Sequence, residues 1–185
     1  MSKNQIMTKR LTTDAVMVAV YVILSLLAIT LGGLKITFEH LPVILCAVMY
    51  GPLDAMAVGG LGELFNQLTS FGLTPTTGLW LLPILIRGLM MGLCAKLSKK
   101  QMGLDAILKK NIPVVFWIVC AITGFISSCL NTLALYVDSK MFGYYNYVMV
   151  FGSLAVRILL GVLTSIVIAM CIKPVLNALK KAQLI

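Results

Sequence analysis

Residues 51–87, GPLDAMAVGGLGELFNQLTSFGLTPTTGLWLLPILIR, decide the fold. Gly51-Pro52 closes one apolar segment and opens the next, because proline cannot continue a helix but suits its first turn. From Pro52 onward the stretch reads as a glycine-rich helix, a polar loop, and a second helix that carries Arg87 into its apolar interior. In the first of these, Ala55, Gly59 and Glu63 stand four apart on one face, with Gly60 and Gly62 beside them. Small residues at that spacing let a neighbouring backbone approach closely. Glu63 and Arg87 are ionisable groups inside apolar spans, where a charge is costly and faces a cavity or a partner. Two readings stand: a close helix contact stabilised by one buried ion pair, or a polar ligand site lined by these residues.

The rest of the chain has the same character. A mean hydropathy of +1.01, with 60% hydrophobic and 11% charged residues, excludes an ordinary soluble domain. Apolar runs recur throughout, so residues 1–185 are expected to form a single integral membrane domain. The first run follows Lys9 and Arg10 as in a signal peptide, but no small-residue cleavage site closes it, so it is expected to be retained. Cys46, Cys94, Cys120, Cys129 and Cys171 all fall in apolar spans without CxxC spacing, which points to packing rather than metal or disulfide chemistry. No metal and no cofactor are expected.

A crossing needs about 20 apolar residues. Six spans are predicted, at about 11–32, 37–51, 53–70, 78–97, 112–136 and 147–173, making an all-α membrane protein. The second is short and contains Pro42, so it is expected to be tilted, kinked or only partly inserted. Lys3, Lys9 and Arg10 precede the first span, Lys96, Lys99, Lys100, Lys109 and Lys110 surround the loop after the fourth, and Lys173, Lys180 and Lys181 follow the last. These are 11 of the 15 Lys and Arg, all on one side, which is therefore cytoplasmic and holds both termini. The net charge of +9 is accordingly an orientation signal, with anionic lipid as its counterpart, and not a nucleic-acid footprint.

Counting from the outer end of each span, Glu63, Arg87, Asn131 and Arg157 fall roughly 8–15 Å below the outer boundary. Asn66 and Gln67 lie just above Glu63, and Glu39 and His40 enter the second span at similar height. The inner half of the spans holds mainly Leu, Ile, Val, Ala and Met. A pore would be polar along its full length, so the pattern describes a cup open to the outer face and closed below. Lys35, Arg87 and Arg157 face Glu39 and Glu63, which leaves positive charge for an anionic ligand, and arginine suits carboxylates. Phe38, Phe71, Trp80, Tyr136, Tyr144 and Tyr145 surround the rim, as stacking partners for a flat heterocycle or as an interfacial belt. The loop from Thr69 to Gly78 is either a lid or a plain connection.

Catalytic signatures are missing. The chain has no GK[ST] phosphate loop, no HExxH and no GxSxG, and its one histidine, His40, has no nucleophile beside it. No catalytic residue is expected and the chain is not read as an enzyme. Thr12-Thr13-Asp14 signals a helix start, and Ala15 and Ala19 after it form a smooth patch near the cytoplasmic end. That patch suits either packing within the chain or a helix of another subunit.

Three segments carry a family resemblance: LTTDAVMVA at 11–19, LPVILCAVMYGPLDAMAVGGLGEL at 41–64 and LNTLALY at 130–136. Together and in this order they resemble the substrate-binding S component of energy-coupling factor (ECF) vitamin transporters, and most of all its folate-type members. The resemblance implies high-affinity binding of a vitamin, folate first, at the outer face of a multi-pass protein of the bacterial plasma membrane. It implies delivery by a membrane-embedded scaffold subunit and two cytoplasmic ATPases, with the scaffold touching Ala15 and Ala19. The substrate-binding residues expected on these grounds are Lys35, Phe38, Glu39, Glu63, Asn66, Trp80, Arg87, Asn131, Tyr136 and Arg157. The fourth span departs from the folate pattern, reading Gly78-Leu-Trp-Leu-Leu-Pro83 where an aromatic-Pro-Gly stretch is usual. Pantothenate, another anionic vitamin or a queuosine-type base therefore also suits the cup. A rival from another class is a structural or assembly protein whose buried charges only hold helices together.

Overall fold

A computed structural model describes residues 3–31, 34–109 and 111–182. Helix α1 (Lys3–Leu26) leads into a hairpin of β1 (Ile29–Leu31) and β2 (Leu34–Ile36), antiparallel with Thr30 opposite Lys35. Helices α2 (His40–Met49), α3 (Pro52–Ser70) and α4 (Thr77–Leu97) come next. Two single turns, α5 (Lys99–Met102) and α6 (Leu104–Ile107), connect to α7 (Val114–Met141). A π-helical turn (Val148–Gly152) then opens α8 (Leu154–Lys181).

Thr77–Leu97, Val114–Met141 and Val148–Lys181 are long and apolar enough to cross a membrane. Helices α1 and α3, of 24 and 19 residues, have crossing length but carry more polar and charged groups. The expected end of the first span at residue 32 is corrected: the helix stops at Leu26 and the chain turns into the hairpin. Gly32-Gly33 separates two runs rich in apolar and β-branched residues by two positions, which is a hairpin signal that the apolar count hides.

The short second span is the centre of the bundle. Helix α2 has 10 residues, about 15 Å, which is half the hydrocarbon thickness. Pro42 to Val48 are all buried, because α1, α3, α4 and α8 pack around it. A helix apolar on every side belongs in such a position. The core continues through Met91, Phe116, Cys120, Ile168, Ile172 and Leu176, and Met102 and Ile107 of the single-turn helices plug it from below.

Small residues set the helix spacing: backbone approach occurs at Ala55, as expected, whereas Gly59 and Gly60 receive the Ile84 and Leu85 side chains instead. A Cβ on Gly88 would lie 3.0 Å from the Ala55 carbonyl carbon, and one on Gly92 would strike the Pro52 backbone. Gly51 makes that approach possible by turning the chain at φ 102°, a conformation that side chains resist. Helices α7 and α8 meet in the same way, Gly124 against Ser165 and Gly161 against Ser128. Gly92→Val is expected to destabilise the chain by about 1–3 kcal/mol, read as a lower melting temperature in detergent. Gly78→Ala, where an added Cβ meets nothing within 4 Å, serves as the neutral comparison; equal melting of the two variants would refute the contact.

Candidate functional site

Positions 124, 127, 128, 131, 135 and 138 of α7 recur every three or four residues and so share one face. That face forms one wall of a cavity of about 780 Å³. Helix α3 supplies Glu63, Asn66 and Gln67, α4 supplies Trp80 and Arg87, and α8 supplies Arg157, Leu160, Gly161 and Thr164. Thr37, Glu39 and His40 close the side at the start of α2. The cavity thus lies at the C-terminal end of α3 and the N-terminal half of α4. The apolar core fills the bundle beyond it.

Glu63 is 8% exposed and is surrounded by neutral donors. Its Oε2 accepts from Tyr21 Oη at 2.9 Å and Asn66 Nδ2 at 3.1 Å, and its Oε1 accepts from Gln67 Nε2 at 2.7 Å. Asn66 and Gln67 are one helical turn on, at i+3 and i+4, where side chains meet. Tyr21 reaches across from α1 because Gly62 leaves room: a Cβ there would lie 2.5 Å from the tyrosine ring.

Arg87 is 2% exposed. Its Nη2 donates to Ser165 Oγ at 2.8 Å, while its Nε has no hydrogen-bond partner. It makes no salt bridge to Glu63, so the reading of a single buried ion pair holding these helices together is corrected. The ion pair seen among the described residues, Arg10 with Asp54, lies at the other end of α3. Arg157 is half-buried; its Nη2 donates to the Met149 carbonyl at 3.1 Å and its Nη1 to the Val150 carbonyl at 3.4 Å. Both carbonyls belong to the π turn.

At the rim, the Asp138 carboxylate accepts from Thr76 Oγ1 and from Tyr144 Oη. It therefore joins the α3–α4 loop to the segment after α7. Desolvation and donation to Asp138 push the Tyr144 hydroxyl up to about 12, so it stays protonated and a donor at neutral pH.

Of the expected residues, Glu39, Glu63, Asn66, Trp80, Arg87, Asn131 and Arg157 line this one cavity. Two others do not. Phe38, 39% exposed, lies outside it. Tyr136 is one position past Leu135, hence about 100° around the helix from the lining face; it packs instead on Tyr145 and Phe151 with Lys140 nearby. Lys35 lies on β2, with its side chain outside the described residues. Tyr21, Asp138, Ser127, Ser128 and Thr164 are cavity or supporting groups that the sequence reading misses. Ser127, Ser128 and Asp138 are detectable as the helical companions of Asn131, at spacings of four, three and seven.

Ala15 and Ala19 are exposed on α1, so neither is used up in packing within the chain.

A cavity with buried donors and acceptors, set in helices built to cross a membrane, is a place to bind a small polar molecule. The model of the ECF transporter substrate-specific component family matches residues 9–179. The chain belongs to this family. Among curated proteins none matches it. Members of the family are substrate-binding transport subunits of multi-pass membrane proteins, working with a membrane scaffold and ATPase partners.

Tyr21→Phe removes a hydrogen bond to a buried carboxylate. It is expected to lower stability by about 1.5–3 kcal/mol, the range for bonds to charged groups. Tyr144→Phe, at an exposed position, is expected to cost less; a melting series in which Tyr144→Phe proves the more damaging would contradict the burial of the Glu63 shell.

Proposed function

We propose that this S component binds an anionic vitamin, folate first, in the 780 Å³ cavity. The single observation that carries this reading is Arg87, 2% exposed on the cavity wall with its Nε unpartnered and no salt bridge to Glu63. A buried guanidinium with spare donor capacity suits a carboxylate. Arg157 adds a second cation on the same side, while Glu63, Asn66 and Gln67 offer acceptors and donors for a heterocycle. Trp80, Phe71 and Phe142 provide flat apolar surface for stacking. Folate has both parts, a flat pterin and carboxylates.

In this reading the single domain crosses the membrane six times, with α2 and its hairpin counted as the second passage and both termini in the cytoplasm. The cavity then opens outward. Ala15 and Ala19 form the surface for the scaffold subunit, which with two ATPases drives delivery. Their exposure supports that role, since a smooth face lets another helix approach closely.

A thermal-shift screen against a panel of vitamins tests the ligand. One present at a hundred times its dissociation constant stabilises the chain by about 2.7 kcal/mol. Folate is expected to give the largest shift; a shift with pantothenate or a queuosine-type base instead would replace the ligand and keep the site. Arg157→Ala is expected to fold and to weaken binding about ten- to a hundredfold. Unchanged affinity in that variant would remove Arg157 from the site. Ala15→Trp is expected to abolish co-purification with the scaffold while vitamin binding persists, and survival of the complex would refute the docking surface.

A further inference from the structure

The bundle has a second concavity at the opposite end of the α3–α4 pair. It has a volume of about 490 Å³ and lies where α2 and α4 end and α3 begins. We propose that this second cavity binds a phosphate ester, the headgroup of an anionic membrane lipid.

Its charged lining is Arg10, Lys96, Lys99 and Asp105. The Arg10 guanidinium is fixed in place: its Nε and Nη2 both donate to Asp54, the latter at 2.7 Å, and Nη2 also approaches the Tyr50 carbonyl at 3.4 Å. Asp54 balances that charge. Lys96 and Lys99 are exposed and make no salt bridge among the described residues. Set against Asp105, they leave an excess of one positive charge in the concavity. A singly charged phosphodiester matches that excess.

Position argues for a lipid rather than a soluble anion. Lys96 stands in the last turn of the membrane-capable helix Thr77–Leu97. The end of such a helix meets the headgroup layer, where basic residues between helices attract anionic lipid. Leu53, 75% exposed, joins the lining and offers an apolar edge along which an acyl chain can leave. Neither the family nor the vitamin cavity requires this site, so its test is independent of both.

The chain of residues 1–185 in a neutral detergent is titrated with three probes while its melting temperature is recorded: dihexanoyl phosphatidylglycerol, dihexanoyl phosphatidylcholine and glycerol 1-phosphate. A saturable upward shift is expected with the phosphatidylglycerol and not with the phosphatidylcholine. Each lysine near an anionic surface contributes enough that Lys96→Gln with Lys99→Gln should raise the apparent dissociation constant about thirtyfold. Lys96→Arg with Lys99→Arg keeps the charge and should retain binding, which separates loss of the site from misfolding. Lys180→Gln with Lys181→Gln, at the exposed end of α8, controls for bulk charge and should bind as wild type.

An equal, lysine-dependent shift with glycerol 1-phosphate would keep the phosphate site and make its source soluble. A phosphatidylglycerol shift that survives Lys96→Gln with Lys99→Gln would overturn the proposal. So would the absence of any shift with both phosphate probes, which would leave these lysines to contacts with a protein partner.

Discussion

Two opposite charges sit within one small helical bundle without neutralising each other. Removing a carboxylate or a guanidinium from water costs several kcal/mol even after relaxation, and direct pairing is the simplest compensation. Here Glu63 is stabilised instead by three neutral donors, from its own helix and from Tyr21 of α1. Arg87 takes a serine hydroxyl and keeps Nε unmatched. The bundle is therefore polarised across its cavity, with acceptor capacity on the α3 side and donor capacity on the α4–α8 side. Much of the packing depends on that separation: Gly62 has to be small so that Tyr21 can reach, and α1 has to lie against α3 for the same reason.

The apolar half of the molecule makes the polar half possible. Helix α2 is too short to cross a bilayer and too apolar to leave the interior, so the longer helices close around it. Where they meet, backbone approaches backbone at Gly88, Gly92, Gly124 and Gly161. Contacts of that kind need no hydrophobic driving force, which lipid does not supply between helices. Those at Gly88 and Gly92 hold α4 against α3, and those at Gly124 and Gly161 hold α7 against α8 in the cavity wall itself.

Much of this is legible from residue order alone. The bounds of α3 and α4 fall within a residue of those expected, because Pro52 and the polar loop after Ser70 mark them sharply. Depth counting brings Glu63, Arg87, Asn131 and Arg157 to one layer, and they line one recess. Less is visible where long-range contacts decide. Tyr21 reads as one more apolar position of the first span, since nothing local announces that Gly62 lies opposite. Tyr136 is suitable by type but sits on the wrong side of its helix. Asp138 lies beyond the expected end of the fifth span at residue 136, because an acidic residue signals the membrane boundary; the helix in fact continues to Met141. The pairing of charges is the least legible of all, for a sequence lists the charges but not their separations.

Asp138 ties together two segments that are far apart in the chain. One carboxylate holds Thr76 from one connecting loop and Tyr144 from another. Displacing either loop strips the carboxylate of a donor. The two segments at the mouth of the recess thus share one anchor, itself part of the lining, and replacing Asp138 would loosen both together.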